Sequence, residues 1–334
     1  MAKPDRIHRA ARVEDIVHAW RERRARKRGR IPTVVAFTGY GSSTQVRVLG
    51  RVLLVKPKPK PTAGLVRGWR SFVSVPVRDV AVTIRVGDTE ATLRADRGGV
   101  IDAVIEATLE SGWHTVTLST PGGQESEAPI RVVGDEVRTG IISDVDDTVM
   151  VTMLPRPLLA AWNTFVLDEH ARIPTPGMAV LYERVLSANP GAPIIYLSTG
   201  AWNVAPTLQR FLSRNLFPAG PLLLTDWGPT HDRWFRSGKE HKHESLRRLA
   251  REFPNISWVL VGDDGQHDIE LYSAFAQEHP DQVRAIAIRE MTGGEAVLAG
   301  GRAEHVANSP APIVFGPDGA SLGEKLRQLG VLKR

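Results

Sequence analysis

The stretch 142-ISDVDDTVMV-151 sets Asp144, Asp146 and Asp147 directly behind an apolar run. Clustered carboxylates repel one another, so a chain that needed only stability would not gather them. Their position at the end of a strand-like segment leads outward to the rest of the architecture.

From about residue 138, strand-like runs alternate with helix-like segments. The runs are 141-IIS-143, 193-PIIYLS-198, 257-SWVLVGD-263 and 284-RAIAIRE-290. Helical patterns fall between and after them at 176–187, 204–214, 241–252 and 268–277, and a strand at 313-IVF-315 with a helix at 321–330 completes the layer. This alternation predicts a parallel α/β sheet, and in such a sheet ligands sit beyond the carboxyl ends of the strands. Asp144 stands at one such end. A second acidic group, 262-GDDGQHD-268, follows the strand 258-WVLVG-262. Two aspartate-rich strand ends close in space would hold a hard, oxygen-seeking cation, and Mg2+ is the expected one. The calcium loop D-x-[DN]-x-[DN]-G is not matched.

The spacing Asp144-Val145-Asp146-Asp147-Thr148 reads D-x-D-x-T. One carboxylate can attack while the second, two residues on, serves as acid and base; an aspartate nucleophile is an established route for phosphoryl transfer.

The remainder of the chain is of a different kind. Residues 31–135 carry short alternating segments such as 80-VAVTIRV-86 and 113-WHTVTLS-119, separated by Gly87-Asp88, Gly98-Gly99 and Gly122-Gly123. The pattern predicts a β-sandwich-like domain without a catalytic constellation. The run 56-KPKPKP-61 reads as an extended basic loop. Residues 9–28 predict an amphipathic helix, with Val13, Ile16, Val17 and Trp20 on one face and arginines elsewhere. Such a helix either lies on an anionic membrane surface or packs its stripe on the next domain.

Of 334 residues, 42% are hydrophobic and 24% charged, as in a soluble globular protein, and the length suits two domains. No apolar run approaches the roughly 20 residues of a membrane span, and no secretory signal is apparent. Cysteine is absent, which excludes disulfides and thiol nucleophiles and fits a cytoplasmic protein. Residues 1–30 hold 11 Lys and Arg against 4 Asp and Glu, while the other residues hold 32 against 33. The net charge of +6 therefore belongs to one segment, and a nucleic-acid surface is not expected.

D-x-D-x-T resembles the first motif of the haloacid dehalogenase (HAD) superfamily of phosphohydrolases. Ser198 at the end of the next strand, Lys242 on a later helix and G-D-x-x-x-x-D from Gly262 follow in that superfamily's order. More narrowly, residues 139–292 are similar to the catalytic domain of the actin-patch-associated phosphatidate phosphatases. The likeness rests on 142-ISDVDDTV-149, 195-IYLSTGAWN-203, 220-GPLLLTDWG-228, 238-GKEHK-242 and 253-FPNISWVLVGDDGQHD-268, with 39-GYGSSTQVRVLGRVLL-54 and 112-GWHTVTL-118 upstream.

The resemblance implies a Rossmann-like HAD-like parallel sheet domain over residues 136–334, preceded by the β-sandwich-like domain at 31–135 and the basic helix at 1–30. It implies Mg2+-dependent hydrolysis of phosphatidate or a related lipid phosphate. Asp144 would be the nucleophile that becomes the aspartyl phosphate. Asp146 would be the acid and base, with its backbone carbonyl on the metal. Ser198 would bond a phosphoryl oxygen, and Lys242 would neutralise charge there and on Asp144. Asp263 would ligate the metal directly and Asp268 would support it from behind the direct ligands or through water, so that the metal set is Asp144, Asp146, Asp263 and Asp268. The partner expected is a phospholipid at an anionic membrane surface reached by the basic helix, which places the protein in the cytoplasm, peripheral at the inner membrane face. A phosphatase of soluble phosphomonoesters and a membrane-binding scaffold are the rival readings.

Other residues have blander readings. Thr148 is expected to fix the turn and Asp147 to satisfy local amides. Asp264 stands where relatives often carry serine, Ile269 where proline is common, and Lys239 competes with Lys242. His231, His241, His243 and His267 show no metal spacing and read as solvated or phosphate-steering. The apolar segment 150-MVTMLPRPLLAAWNTFVLDEH-170 aligns Leu158, Trp162 and Phe165 behind Pro157, as either an acyl-chain groove or a packed helix.

Overall fold

The computed structural model describes residues 4–57, 75–151, 173–225, 238–265, 267–298 and 308–332, with side chains from residue 16 onward. The segment 152–170, with Leu158, Trp162 and Phe165, His231 and most of the 56–61 run lie outside the described residues. Two units emerge from the packing. One gathers the described parts of Met1–Val132, Gly200–Pro206 and Leu224–Ser237; the other gathers those of Val133–Thr199, Thr207–Leu223 and Gly238–Arg334. Among the described residues no helix is long and apolar enough to cross a membrane.

The first unit opens with helix α1 (Pro4–Lys27) and continues through strands β1 (Ile31–Gly41), β2 (Gln45–Val55), β3 (Val75–Pro76), β4 (Ala81–Val86), β5 (Thr89–Arg94), β6 (Val100–Glu106), β7 (Gly112–Ser119) and β8 (Ser126–Val132). The strands of the anticipated β-sandwich-like domain hydrogen-bond as one eight-stranded sheet in the order β3-β2-β1-β8-β7-β4-β5, with β6 also paired to β2. The reason is the length of β2. One edge of its 11 residues pairs with β1, while the other takes β6 along Gln45–Arg51 and β3 at Leu53 and Leu54. The sheet curls, because Val52 and Leu54 of β2, Val82 and Ile84 of β4 and Ile101 of β6 share one core. Burial in β1 and β2 alternates only in part, with consecutive buried residues interrupting the period, so β1 is easily missed in the sequence.

The second unit is built on β9 (Thr139–Asp144), β12 (Ile194–Ala201), β13 (Leu222–Thr225), β14 (Ser257–Asp263), β15 (Val283–Arg289) and β16 (Ile313–Gly316), in the order β13-β12-β9-β14-β15-β16. A small pair, β10 (Met150–Val151) with β11 (Ile173–Pro174), stands apart. Strands β12, β9, β14, β15 and β16 run parallel. All six residues of β9 are buried, as are six of seven in β14, as expected of strands covered on both faces. The helices are α2 (Met178–Ala188), α3 (Ala205–Arg214), α4 (Gly238–Glu252), α5 (Asp268–Glu278), α6 (Gly293–Leu298) and α7 (Gly319–Gln328). α2 packs against α7, and α4 against α5.

The strand order positions the site. β9 is first in this sheet's sequence yet central in space, with β12 on one side and β14 on the other. The chain moves outward from β9 through β12 to β13, then crosses back to β14 and continues to β16. That reversal opens a crevice at the carboxyl ends of β12, β9 and β14. Asp144, Ser198 and Asp263 all lie there, with Leu197 facing Asp144 in register and Val261 facing Ser143.

β9 and β14 approach closely because Gly140 has no side chain: a Cβ there would stand 2.5 Å from the ring of the fully buried Trp258. Overpacking of this kind costs about 1–3 kcal/mol. Gly140→Ala is expected to lower the unfolding free energy by that amount, read as a lower urea midpoint at an unchanged denaturant slope, and an unchanged midpoint would show that the ring has room to move.

Candidate active site

Asp144 ends β9 and is 2% exposed. Its neighbours arrive on separate elements. Lys242 lies on α4 in the buried row with Leu246 and Leu249, so its ammonium is carried inward by the same stripe that packs the helix. Asp263 ends β14, and Asp268 opens α5. The Lys242 Nζ is 2.6 Å from Asp144 Oδ1 and 2.7 Å from Asp268 Oδ1, a buried cation shared by two carboxylates. Lys239, the rival lysine, points away to an exposed pair with Glu270.

Asp268 reaches its position through the backbone of its neighbours. Gly262 leaves room for it, since a Cβ there would stand 2.7 Å from Asp268 Oδ2. Tyr272, one turn further along α5, donates to the Val261 carbonyl at 3.1 Å and pins the helix to β14. A carboxylate in the first turn of a helix is also favoured by the helix dipole. Asp263 accepts from the Gly265 amide at 2.6 Å, which orients one of its oxygens.

The loop that follows Asp144 turns sharply. Asp147 has φ 56, a left-handed conformation that aspartate adopts more readily than most residues. Val149 and Met150 amides both donate to the Val145 carbonyl, and the buried Arg289 donates through Nη1 to the Asp147 carbonyl at 2.8 Å. Arg289 is itself held by Glu295 at 2.8 Å. Thr148, expected to fix this turn, is buried, but its hydroxyl has no hydrogen-bond partner among the described residues. The turn is held by backbone bonds and by Arg289 instead. Arg289 leaves no sequence signal, because it acts on a carbonyl that every residue possesses.

The aspartates divide their tasks. Ser198 donates to Asp146 Oδ2 at 3.0 Å, so Asp146 leans toward β12. Asp264 is fully buried but turned to structure: its amide donates to the Arg289 carbonyl and its Oδ1 accepts from the Met291 amide. Asp144, Asp263 and Asp268 each present an oxygen within 4.8 Å of the others. Of the metal set expected from sequence, the three residues expected to act through side chains converge, while Asp146 is expected to act through its backbone carbonyl. No histidine joins this group among the described residues.

Burial pushes the Asp144 carboxyl well above its ordinary range, with Asp268 and Asp146 adding to the rise and Lys242 opposing it. Burial and then Asp268 push Asp263 up to about 8, against the pull of Lys242. Burial works against the Lys242 ammonium, but Asp144 and Asp268 outweigh it and hold its pKa above the usual lysine value. One cation therefore faces three carboxylates. Asp144 Oδ2 is buried with no hydrogen-bond partner among the described residues. An oxygen-only set with surplus negative charge and an unsatisfied carboxylate oxygen suits a hard divalent cation.

Residues 139–290 match the family described as phosphatidate phosphatase APP1, catalytic domain. Phosphatidate phosphatase APP1 of Saccharomyces cerevisiae is 29% identical over 152 residues, covering 45% of this chain and 25% of its own length. An uncharacterized protein of Schizosaccharomyces pombe is 28% identical over 175 residues, covering 50% of this chain and 27% of its own. The chain thus spans about a quarter of the length of these curated relatives. A carbohydrate acetylesterase structure from Xanthomonas citri aligns over 90% of this chain and 74% of its own with a TM-score of 0.31 and 10% identity, too low to carry an argument.

The raised Asp263 pKa has a sign that can be tested. Unfolded, the group ionises near its ordinary value of about 3.9. In the folded metal-free protein it ionises at about 8. Between those values the folded state binds the extra proton, so stability falls as pH rises, and the cost is complete above about 8. Metal-free Asp263→Asn is expected to melt a few degrees above the parent at pH 8.5 and level with it near pH 4, by calorimetry in chelator. A parent that melts higher at pH 8.5 would show that the carboxylate is stabilised in the empty site.

Proposed function

We propose, from the match of residues 139–290 to the family described as phosphatidate phosphatase APP1, catalytic domain, that this chain is a phosphoric monoester hydrolase acting on phosphatidate or a related lipid phosphate. The observation that carries the chemistry is the pairing of buried Asp144 with Lys242 at 2.6 Å, with a second Asp144 oxygen left over at the strand end. The switch in strand order at β9 and the acidic residues at the ends of β9 and β14 support the HAD-like reading of the sheet.

Asp144 Oδ2 is the attacking atom. It forms a bond to phosphorus as the bond from phosphorus to the lipid oxygen breaks, giving an aspartyl phosphate. Asp146 gives its proton to the departing oxygen, which leaves as the alcohol. Asp146 then takes a proton from water, whose oxygen attacks the same phosphorus, and phosphate departs with Asp144 restored. The Ser198 hydroxyl, 3.0 Å from Asp146 Oδ2, holds that carboxyl in place and would turn toward a phosphoryl oxygen when substrate binds. Lys242 stabilises the negative charge that spreads over the phosphoryl oxygens. Asp144, Asp263 and Asp268 are the residues that would hold Mg2+, which supplies positive charge that keeps these carboxylates ionised and draws electrons from the phosphoryl group.

The test is phosphate release from phosphatidate in mixed micelles with Mg2+, beside a panel of soluble phosphomonoesters. The expected result is release from phosphatidate, abolished by chelator and reduced at least about a thousandfold by Asp144→Asn, because the nucleophile is gone. Turnover of soluble esters alone would keep the chemistry and overturn the lipid substrate. Full activity in Asp144→Asn would overturn the mechanism.

A further inference from the structure

We propose that the outward face of α1 is a docking site for an anionic phospholipid surface. Among the described residues, α1 lies against β2 and β3. His18, Glu22 and Ala25 recur at i, i+4 and i+7: Ala25 joins the core of the curled sheet, and His18 is half-buried beside Arg78 and the Pro76 backbone. A helix advances about 100° per residue, so positions two away from His18 and Glu22 point to the opposite side. Ile16 and Trp20 fall there with Val17 beside them, and they are 70%, 60% and 48% exposed in the order Ile16, Trp20, Val17. The stripe is therefore not what attaches the helix to its own unit. An apolar stripe left in water on a helix that already has a buried face marks an interaction site.

Charge decides the occupant. Arg24 stacks on the Trp20 ring at 5.6 Å, and Lys27 extends the same row at i+7 from Trp20. Arg21, Arg23 and Arg28 are exposed beside them. Within 21–30 the single acid, Glu22, faces the other way and pairs with Arg26. A row of three apolar side chains is too small to hold a membrane by itself, and cations alone bind weakly; together they supply the two signals that stable attachment needs. Tryptophan is at home in the headgroup layer, with an apolar body and a polar N–H, while each Lys or Arg near an anionic surface adds attraction. The structure thus fits a helix lying in the plane of a negatively charged leaflet.

The proposal does not rest on the phosphatase reading, because binding is measured without turnover. Because the chain has no cysteine, Ile16→Cys carries one environment-sensitive dye on the full-length protein. A blue shift is expected with vesicles of phosphatidylcholine plus phosphatidylserine, not with phosphatidylcholine alone, and it should be lost in high salt. In co-sedimentation, Trp20→Ala and the double variant Arg24→Glu with Lys27→Glu are each expected to lower partitioning about tenfold, while Arg251→Glu on α4 leaves it unchanged. All these positions are exposed, and a circular-dichroism melt checks that the fold is kept. Absence of a shift on anionic vesicles, equal binding to neutral ones, or full binding by Trp20→Ala would overturn the proposal. So would a dimer that dissociates in Trp20→Ala without any vesicle binding, which would assign the stripe to a second copy of the chain.

Discussion

The ammonium of Lys242, seated between Asp144 and Asp268, is the interaction on which the rest of the catalytic unit turns. Three carboxylates brought within 4.8 Å of one another in a buried crevice would otherwise repel strongly. A buried ion pair is rarely a net source of stability, and breaking one typically costs about 3–5 kcal/mol because a charge is left unpaired. The fold accepts that liability where β9 and β14 lie side by side. It does so by placing Lys242 on the very stripe of α4 that packs inward, so the charge is positioned by the apolar residues around it.

The carboxylates are held less by one another than by backbone. Gly262 leaves a space that Asp268 fills, Tyr272 ties α5 to the Val261 carbonyl, and the Gly265 amide fixes Asp263. On the opposite flank, Arg289 grips the Asp147 carbonyl and holds the turn that follows Asp144. These anchors are rigid because they sit at the ends of buried strands. The unsatisfied oxygen of Asp144 and the raised pKa of Asp263 record the same fact from the electrostatic side: the site is organised for positive charge beyond what Lys242 supplies.

The first unit follows another logic. Its long strand β2 has enough edge for two partners, so strands that alternate like those of a sandwich join one curled sheet. α1 closes against that sheet with a narrow, mostly polar face and keeps its apolar row outside. Periodicity alone left the apolar row either to a membrane surface or to the next domain. Packing used the alanine and histidine instead, because small or half-polar residues let the helix approach the backbone of β3.

By itself the sequence determined the alternation of strands and helices after residue 138, the acidic strand ends at Asp144 and Asp263, and the lysine lodged in a helical apolar row at Lys242. Each is a local pattern, set by side-chain periodicity within a single element. Tertiary structure alone decided that β14 pairs with β9, and so which strand end would bring a carboxylate to Asp144. It also decided that Arg289 would act through a carbonyl, that Asp264 would turn to the Met291 amide, and which side of α1 would meet the sheet. Those outcomes depend on how crossovers pack over a sheet and where backbone groups find partners, and neither leaves a periodic trace in the chain.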